Sequence, residues 1–497
     1  MNFRTSRKVC AIIKKHRLPF VIERQFFMDE NLKKGRDQAM EEQENKLGTA
    51  PIGKLLVQMS LPAITAQVIN ALYNIVDRIY IGHLPEVGSL ALASLGVAFP
   101  LIMIISAFAA LIGMGGAPRA AIAMGAGKKD EAEKILGNSF SALFLMSIVL
   151  TVLFLLTSDT LLTWFGATEK SLPMAKSYFT IYVLGTISVQ MALGLNSFIS
   201  AQGFSTMSMM TVLIGAISNI ILDPILIYGF DMGVRGAAIA TVFSQTISAV
   251  WVIVFLTGKK TILKIKMANL KIQKEILLPA IALGVSPFIM QSTESLVQLT
   301  FNAQIKHYGG DQVDILISAM SILLSCMQFF VLPVTGLTQG AQPIVSYNYG
   351  AKKIDRVKKT FGLLVKSALI YTTTVWALVL LFPTVFIRLF SSDPQLLAIA
   401  PGYLRVFMSG MLLLGAQFSC QQTFVALGQA KVSMFLALLR KIILLIPLAL
   451  ILPLIMGFNG IFIAEPAADV LASLSTSTVF FLMTRKLFSG EKTSLND

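Results

Sequence analysis

Residues 90–115 read LALASLGVAFPLIMIISAFAALIGMG, an apolar run without a charged side chain. A transmembrane helix needs about 20 mainly apolar residues. The sequence contains twelve runs of this kind, which Gly, Pro or charged clusters separate. They lie near 54–81, 90–115, 136–157, 174–201, 206–229, 234–257, 275–305, 313–341, 360–387, 398–427, 432–457 and 460–485. We therefore predict an all-α polytopic membrane protein with twelve transmembrane helices.

The composition supports this prediction and argues against other classes of protein. Of the 497 residues, 55% are hydrophobic and 13% are charged, whereas roughly 25% are charged in an ordinary soluble domain. A water-soluble enzyme is not expected, because the fold could not bury so much apolar surface. The net charge of +15 does not indicate nucleic-acid binding, since the basic residues lie between the apolar runs.

The basic residues also predict the orientation in the membrane. Lysine and arginine concentrate in alternate loops, at 125–135, 258–274 and 350–359, and again in the tail. The positive-inside rule places such loops in the cytoplasm. Both termini are therefore expected on the cytoplasmic side of the cell (cytoplasmic) membrane.

The two halves of the chain match when one is shifted by 225 residues. Asp77 then faces Asn302, and Tyr178 faces Tyr403. Matches at one shift along most of the chain indicate an internal duplication. Each half has an even number of spans, so both halves have the same orientation. We expect two pseudo-symmetric six-helix bundles with a central cleft between them, an architecture typical of transporters.

These observations define the expected domains. Residues 1–50 combine eleven basic with seven acidic residues and no long apolar run, so they are interpreted as a disordered cytoplasmic extension. The first lobe is 51–257 and the second is 275–486. A basic cytoplasmic loop, 258–274, links the lobes as a hinge, and 487–497 form a cytoplasmic tail.

Motifs for enzyme chemistry or cofactor binding are absent from the sequence. Gly48 to Lys54 nearly form a P-loop, but Leu55 stands where a Ser or Thr would hold magnesium. Neither HExxH nor GxSxG occurs, and the scattered Cys and His residues do not indicate a disulfide framework or a structural metal. We therefore expect no enzyme activity, no cofactor and no transport powered directly by ATP hydrolysis. An ion gradient is the remaining common energy source.

Polar residues inside the first-half spans carry the functional signal. Asp77, Asp223 and Thr241 lie about 6 to 10 Å inside the outer ends of their spans. Asn219 lies one turn below Asp223, and Tyr178 lies just inside the fourth span. Two carboxylates close together in a low dielectric cannot both ionise comfortably. One acid is expected to hold a proton. Alternatively, a sodium ion is expected to be shared by Asp77, Asn219, Asp223 and Thr241.

Structural explanations for these residues stay open. Asp77 could be an interfacial residue that pairs with Arg78, although Arg78 is 100° round the helix and is expected to reach outward. Asp223 could mark a polar kink that Asn219 satisfies.

A second group of candidates in the cavity is Asn70, Glu294, Glu465 and Asp469. Asn70 lies two turns below Asp77 and could extend its network or simply pack. Glu465 stands at the repeat position of Thr241, with Asp469 one turn further. A kinked helix end at Pro466 explains these two acids equally well.

The sequence resembles the multidrug and toxic compound extrusion (MATE) family over roughly 46–488. The stretches that carry the resemblance are LYNIVDRIYIG at 72–82 and SNIILDPILIYG at 218–229. The resemblance implies that acids of the first lobe bind the coupling proton or sodium. In this chain, the residues that match the family's ion-binding network are Asp77, Tyr178, Asn219, Asp223 and Thr241. Glu294 lies one residue before the position of a key glutamate in some members, and the tenth-span aspartate of some members is absent.

Together these arguments predict a cation-coupled antiporter that exports lipophilic or cationic drugs by alternating access. It is expected to act as a monomer among membrane lipids, without a nucleic-acid partner. One alternative is a flippase or exporter of a lipid-linked sugar or another endogenous metabolite, which would favour a cleft lined with cationic residues. A membrane-embedded lipid-modifying enzyme is the alternative from another class.

Overall fold

The computed structural model describes residues 46–85, 87–391 and 393–488, and these are almost entirely helical. In a bilayer a helix is favoured because it satisfies all backbone hydrogen bonds within one segment. Helices α1 to α7 of the first half are Ile52–Gly82, Gly88–Gly125, Lys129–Trp164, Leu172–Leu184, Thr186–Ala201, Ser205–Pro224 and Gly233–Thr257. Helices α8 to α16 of the second half are Lys274–Tyr308, Val313–Gly350, Ile354–Leu381, Pro383–Arg388, Pro394–Phe407, Met411–Ala426, Ala430–Leu438, Ile446–Met456 and Asn459–Phe488.

The predicted twelve-span fold is confirmed. Eleven helical stretches of the described residues are long and apolar enough to cross a membrane, and the bent pair α4 and α5 makes a twelfth span. The bend of 56° falls at Gly185. A Cβ atom there would lie 2.5 Å from Cγ2 of Val242 on α7, so the close approach of α7 requires glycine.

The two halves repeat the same helix pairings. In the first half α1 packs on α6 and α2 on α5, and in the second half α8 packs on α14 and α9 on α13. Short π-helical segments, Ile225–Gly229 and Leu439–Leu445, continue α6 and α14. The expectations for residues 1–45 and for 489–497 of the tail lie outside the described residues.

Contacts between the halves concentrate at one end of the spans. A Cβ atom on Gly284 of α8 would lie 1.7 Å from the carbonyl oxygen of Leu111 on α2, and one on Gly125 would lie 1.9 Å from that of Tyr347. Among the described glycines, close contacts between the halves occur only on the side of the loops at 126–128 and 351–353. The halves are therefore sealed on that side, which the orientation predicted above makes the cytoplasmic one.

The linker between the halves is docked on the first half. The buried Gln202 Oε1 at the end of α5 accepts hydrogen bonds from Thr261 Oγ1 at 2.8 Å and from the Leu263 amide at 2.7 Å. Lys266 forms an ion pair with Glu133 of α3, and this hydrogen bond raises the pKa of the Lys266 ammonium. Most of 258–274 is thus part of the first lobe.

Candidate functional site

The two first-half acids lie on neighbouring helices and are buried. Asp77 on α1 is 8% exposed and Asp223 on α6 is fully buried. Asn219, one turn before Asp223, donates from Nδ2 to Asp223 Oδ1 at 3.2 Å. The same amide group lies 3.5 Å from Thr241 Oγ1 on α7. The polar groups of three helices therefore converge within the first lobe.

This cluster contains oxygen atoms that the protein does not satisfy. Asp77 Oδ1, Asn219 Oδ1 and Asp223 Oδ2 are buried and have no hydrogen-bond partner among the described residues. Burying a charged carboxylate without a partner is costly. The two acids also repel each other when both are ionised. A proton or a small cation at these oxygens would relieve both costs, and carboxylate, amide and hydroxyl oxygens suit sodium as well as a proton.

Tyr178 completes the predicted cluster. It lies on α4, is buried and stacks on Tyr182 with 6.5 Å between ring centroids. Its hydroxyl interacts with Thr241 and with the charge of Asp77. The structure thus brings together all five residues that the sequence analysis singled out as the coupling site.

The sequence analysis missed Tyr73 and Ser244. Tyr73 lies one turn before Asp77 and interacts with the charges of both Asp77 and Asp223. Ser244 follows Thr241 by one turn, and its buried hydroxyl has no partner among the described residues. Tyr73 precedes Asp77 by four residues and Ser244 follows Thr241 by three, so each shares a helix face with a predicted site residue. This spacing could have identified both.

A central cavity of about 1150 Å³ opens beside this cluster and is lined by both halves. Asp77, Tyr178, Asn219 and Thr241 lie in its wall, whereas Asp223 lies behind the wall. The remaining lining is largely apolar, with neutral amides among the polar groups. Apolar and amide lining residues include Leu92, Phe99, Ile102, Met103, Met114, Gln67, Asn70, Gln245 and Gln339.

Arg78 does not neutralise Asp77 directly. Its guanidinium carbon lies 4.8 Å from the ring centroid of Phe99, a cation–π arrangement. No ion pair within 4.0 Å links it to Asp77, whose Oδ1 has no partner among the described residues. The charge of Arg78 acts on the Asp77 carboxyl group, but without a direct ion pair it leaves the buried Oδ1 atom unsatisfied.

The four secondary candidates divide between the cavity and the protein core. Asn70 and Glu294 line the cavity. Glu465 and Asp469 were expected there as well, but the structure places them outside the lining, beside the buried Arg440. Within the described residues, no group of three or more His, Cys, Asp or Glu side chains is arranged to hold a metal ion.

Comparisons with known proteins agree with this architecture. The MatE family model matches residues 62–225 and 287–451, so its two matches start 225 residues apart. The multidrug export protein MepA of Staphylococcus aureus (strain NCTC 8325 / PS 47) is 27% identical over 443 residues, covering 88% of this chain and 95% of the relative. MepA of Staphylococcus haemolyticus is 26% identical over 446 residues, covering 89% of this chain and 96% of the relative.

Solved structures share the fold. A MATE structure in the bent conformation aligns with a TM-score of 0.83 at 22% identity, covering 90% of this chain and 98% of the other. A MOP superfamily transporter from Pyrococcus furiosus aligns with a TM-score of 0.82 at 22% identity and the same coverage.

Proposed function

We propose a specific transport activity for this chain, which belongs to the MatE family. The chain is a multi-pass membrane transporter, not an enzyme. The proposed activity is the export of lipophilic cations in exchange for protons or sodium ions that enter the cell. The observation that carries this proposal is the set of unpartnered oxygens of Asp77, Asn219 and Asp223 beside the central cavity.

The proposed cycle uses these oxygens as the ion site. From the outside, a proton or sodium ion reaches Asp77 through the cavity and removes one negative charge from the carboxyl groups of Asp77 and Asp223. Loss of the negative charge weakens the binding of a cationic substrate in the same cavity, and the substrate leaves outward. After the halves reorient, the ion leaves to the cytoplasm and the restored charge favours the next substrate. Each ligand shifts the equilibrium only by its differential affinity for the two states.

The cavity wall supports a lipophilic cation as the substrate class. Its volume of about 1150 Å³ exceeds the upper end of the range typical of small-molecule sites. The methionine side chains of the wall, Met103 and Met114, adapt to apolar ligands of different shapes. The acids Asp77 and Glu294 give the wall its negative groups. The relatives named multidrug export protein MepA support the same class.

A flippase for an anionic, lipid-linked substrate is less well supported. Such a substrate needs a cationic cleft, and the charged residues among the described cavity lining are two acids and Arg78. Two further cations, Arg440 and Lys441, are buried and paired with acids. We also propose that the protein lies in the cell membrane with both termini on the cytoplasmic side.

The function is tested by efflux of a fluorescent lipophilic cation from proteoliposomes. A proton gradient and a sodium gradient are imposed and collapsed separately. We expect one of the two gradients to drive transport, and its collapse to stop transport. Equal rates with neither gradient present would contradict antiport. Transport of a lipid-linked sugar with no response to the cation would favour the flippase.

A further inference from the structure

A second group of charged residues lies in the second half, and one of its members reaches the cavity. Glu294 on α8 lines the cavity, and its side chain is 60% exposed. Its Oε1 atom lies 2.9 Å from Nζ of Lys441, whose side chain is only 5% exposed. This ion pair therefore connects the cavity wall to a charge inside the lobe.

Arg440, the neighbour of Lys441, points to two further acids on α16. Its Nε and Nη2 atoms lie 2.9 and 2.8 Å from Oδ1 of Asp469. Glu465 is more distant, with 3.8 Å between its Oε1 atom and Nη2 of Arg440. Arg440 therefore pairs mainly with Asp469, and its interaction with Glu465 is weaker.

The group contains more acids than cations. Three carboxyl groups, of Glu294, Glu465 and Asp469, face two cations. Glu294 and Asp469 each have a close cation, so Glu465 is the acid in excess. Its side chain is 5% exposed, and its Oε2 atom has no partner among the described residues. A carboxylate buried in this way is costly, and a proton on Glu465 makes the group neutral.

The charged groups that act on Glu465 come from three elements. Arg440 and Lys441 face it from the π-helical segment Leu439–Leu445, Glu294 from α8, and Asp469 from its own helix. Lys441 therefore acts on both Glu294 and Glu465. Its flexible four-carbon side chain allows the ammonium group to move from one acid to the other. Lys441 also lies on a π-helical segment, and such segments occur frequently at functional sites.

We propose that Lys441 is a charge relay that couples substrate binding at Glu294 to release of a proton from Glu465. This inference rests on the proposed function and deepens it. A cationic substrate pairs with Glu294 and displaces the Lys441 ammonium, which turns to Glu465. The O–H bond of the Glu465 carboxyl group breaks, the electron pair stays on the carboxylate, and the proton is released to solvent. One cation enters and one proton leaves, so the charge of the group is conserved.

The test counts protons in the purified transporter with Asp77→Asn and Asp223→Asn, which removes the titrating acids of the first lobe. Tetraphenylphosphonium is added in a weak buffer, and a pH indicator measures the protons released. Calorimetry measures the bound cation in parallel. We expect close to one proton for each cation bound, and almost none after Glu465→Gln is added. Infrared difference spectra should lose the carbonyl band of a protonated acid on binding, and Glu465→Gln should lack that change.

A second variant covers the possibility that Glu465→Gln does not fold. Glu294→Gln changes a side chain that faces the cavity. It frees Lys441 to neutralise Glu465 before any substrate is added, so proton release should again be lost. The matched control is Glu275→Gln, the same substitution at an exposed position of the same helix, which should leave proton release unchanged.

The outcomes separate the relay from the transport proposal. Binding of tetraphenylphosphonium without proton release in the first-lobe variant would overturn the relay alone. Release that persists unchanged after Glu465→Gln, or after Glu294→Gln where the former does not fold, would also overturn it. No binding of the cation to any variant or to the unmodified protein would overturn the proposed substrate class and the relay together.

Discussion

Asn219 donates a hydrogen bond to one oxygen of Asp223, at 3.2 Å, and leaves the other oxygen of that carboxyl group without a partner among the described residues. The amide therefore fixes the orientation of the acid without using up its capacity to bind a proton or cation. A purely structural hydrogen bond would be expected to leave no buried acceptor unsatisfied. The proposed ion site requires such a free oxygen on Asp223, whereas a polar kink of α6 that Asn219 satisfies does not.

The seal between the halves depends on glycine at close helix crossings. Gly284→Ala places a methyl group against the Leu111 carbonyl oxygen, which a Cβ would approach to 1.7 Å. We expect the substitution to separate α2 from α8 and to lower transport per inserted molecule by at least several-fold. Gly362→Ala is the matched control, because a Cβ at Gly362 meets no atom within 4 Å. Equal transport by the two variants would show that the crossing does not need glycine.

Arg356 fastens the segment before α1 to the second half. Its Nη2 atom donates to the carbonyl oxygens of Leu47 at 3.2 Å and Ala50 at 2.8 Å. Hydrogen bonds from a charged donor contribute about 1.5–3 kcal/mol each. Arg356→Gln should therefore shift the population towards a state that is open on this side, by about tenfold or more.

Pulsed electron paramagnetic resonance can measure this shift. Spin labels at the exposed positions Lys129 and Lys359 report the distance between the halves on the sealed side. Longer distances should gain population in Arg356→Gln and not in Arg388→Gln, which changes an exposed arginine elsewhere. If both variants keep the distances of the unmodified protein, Arg356 does not hold the seal.

The docked linker predicts an effect on stability. Gln202→Leu removes the acceptor for Thr261 Oγ1 and the Leu263 amide, both within a buried contact. The Thr261 hydroxyl keeps the Leu263 carbonyl oxygen as an acceptor at 2.8 Å, so the Leu263 amide is the buried donor left without one, at a cost of about 1–3 kcal/mol. The melting temperature should fall clearly, while Gln395→Leu, at an exposed position, should change it little. A melting temperature equal to that of the control would mean that the linker is not held by Gln202.

The fold was predictable because long apolar runs allow few structures in a membrane. Run length gave the twelve spans, and the 225-residue shift gave the repeat that the MatE family model also matches. The docking of 258–274 was not predictable from its lysines, because the partners Glu133 and Gln202 lie in distant helices.

The sites were predictable to different degrees for a similar reason. Asn219 and Asp223 interact within one helix, where a spacing of four residues places side chains together. Arg440 and Lys441 were missed because their partners lie on α8 and α16. Pairing across distant spans leaves no periodic signal in the sequence.

The central claim is that the carboxyl groups of Asp77 and Asp223 form the coupling site. Asp77→Asn and Asp223→Asn preserve the shape of each side chain and remove its titrating group. Gradient-driven efflux of a lipophilic cation is measured in proteoliposomes and normalised to inserted protein, for both single variants and the double variant. The coupling role predicts a collapse of active efflux in each single variant, while cation binding becomes weaker but stays measurable. The double variant should be little worse than either, since residues that act as a unit are not additive. Near-normal efflux by both single variants would contradict the account.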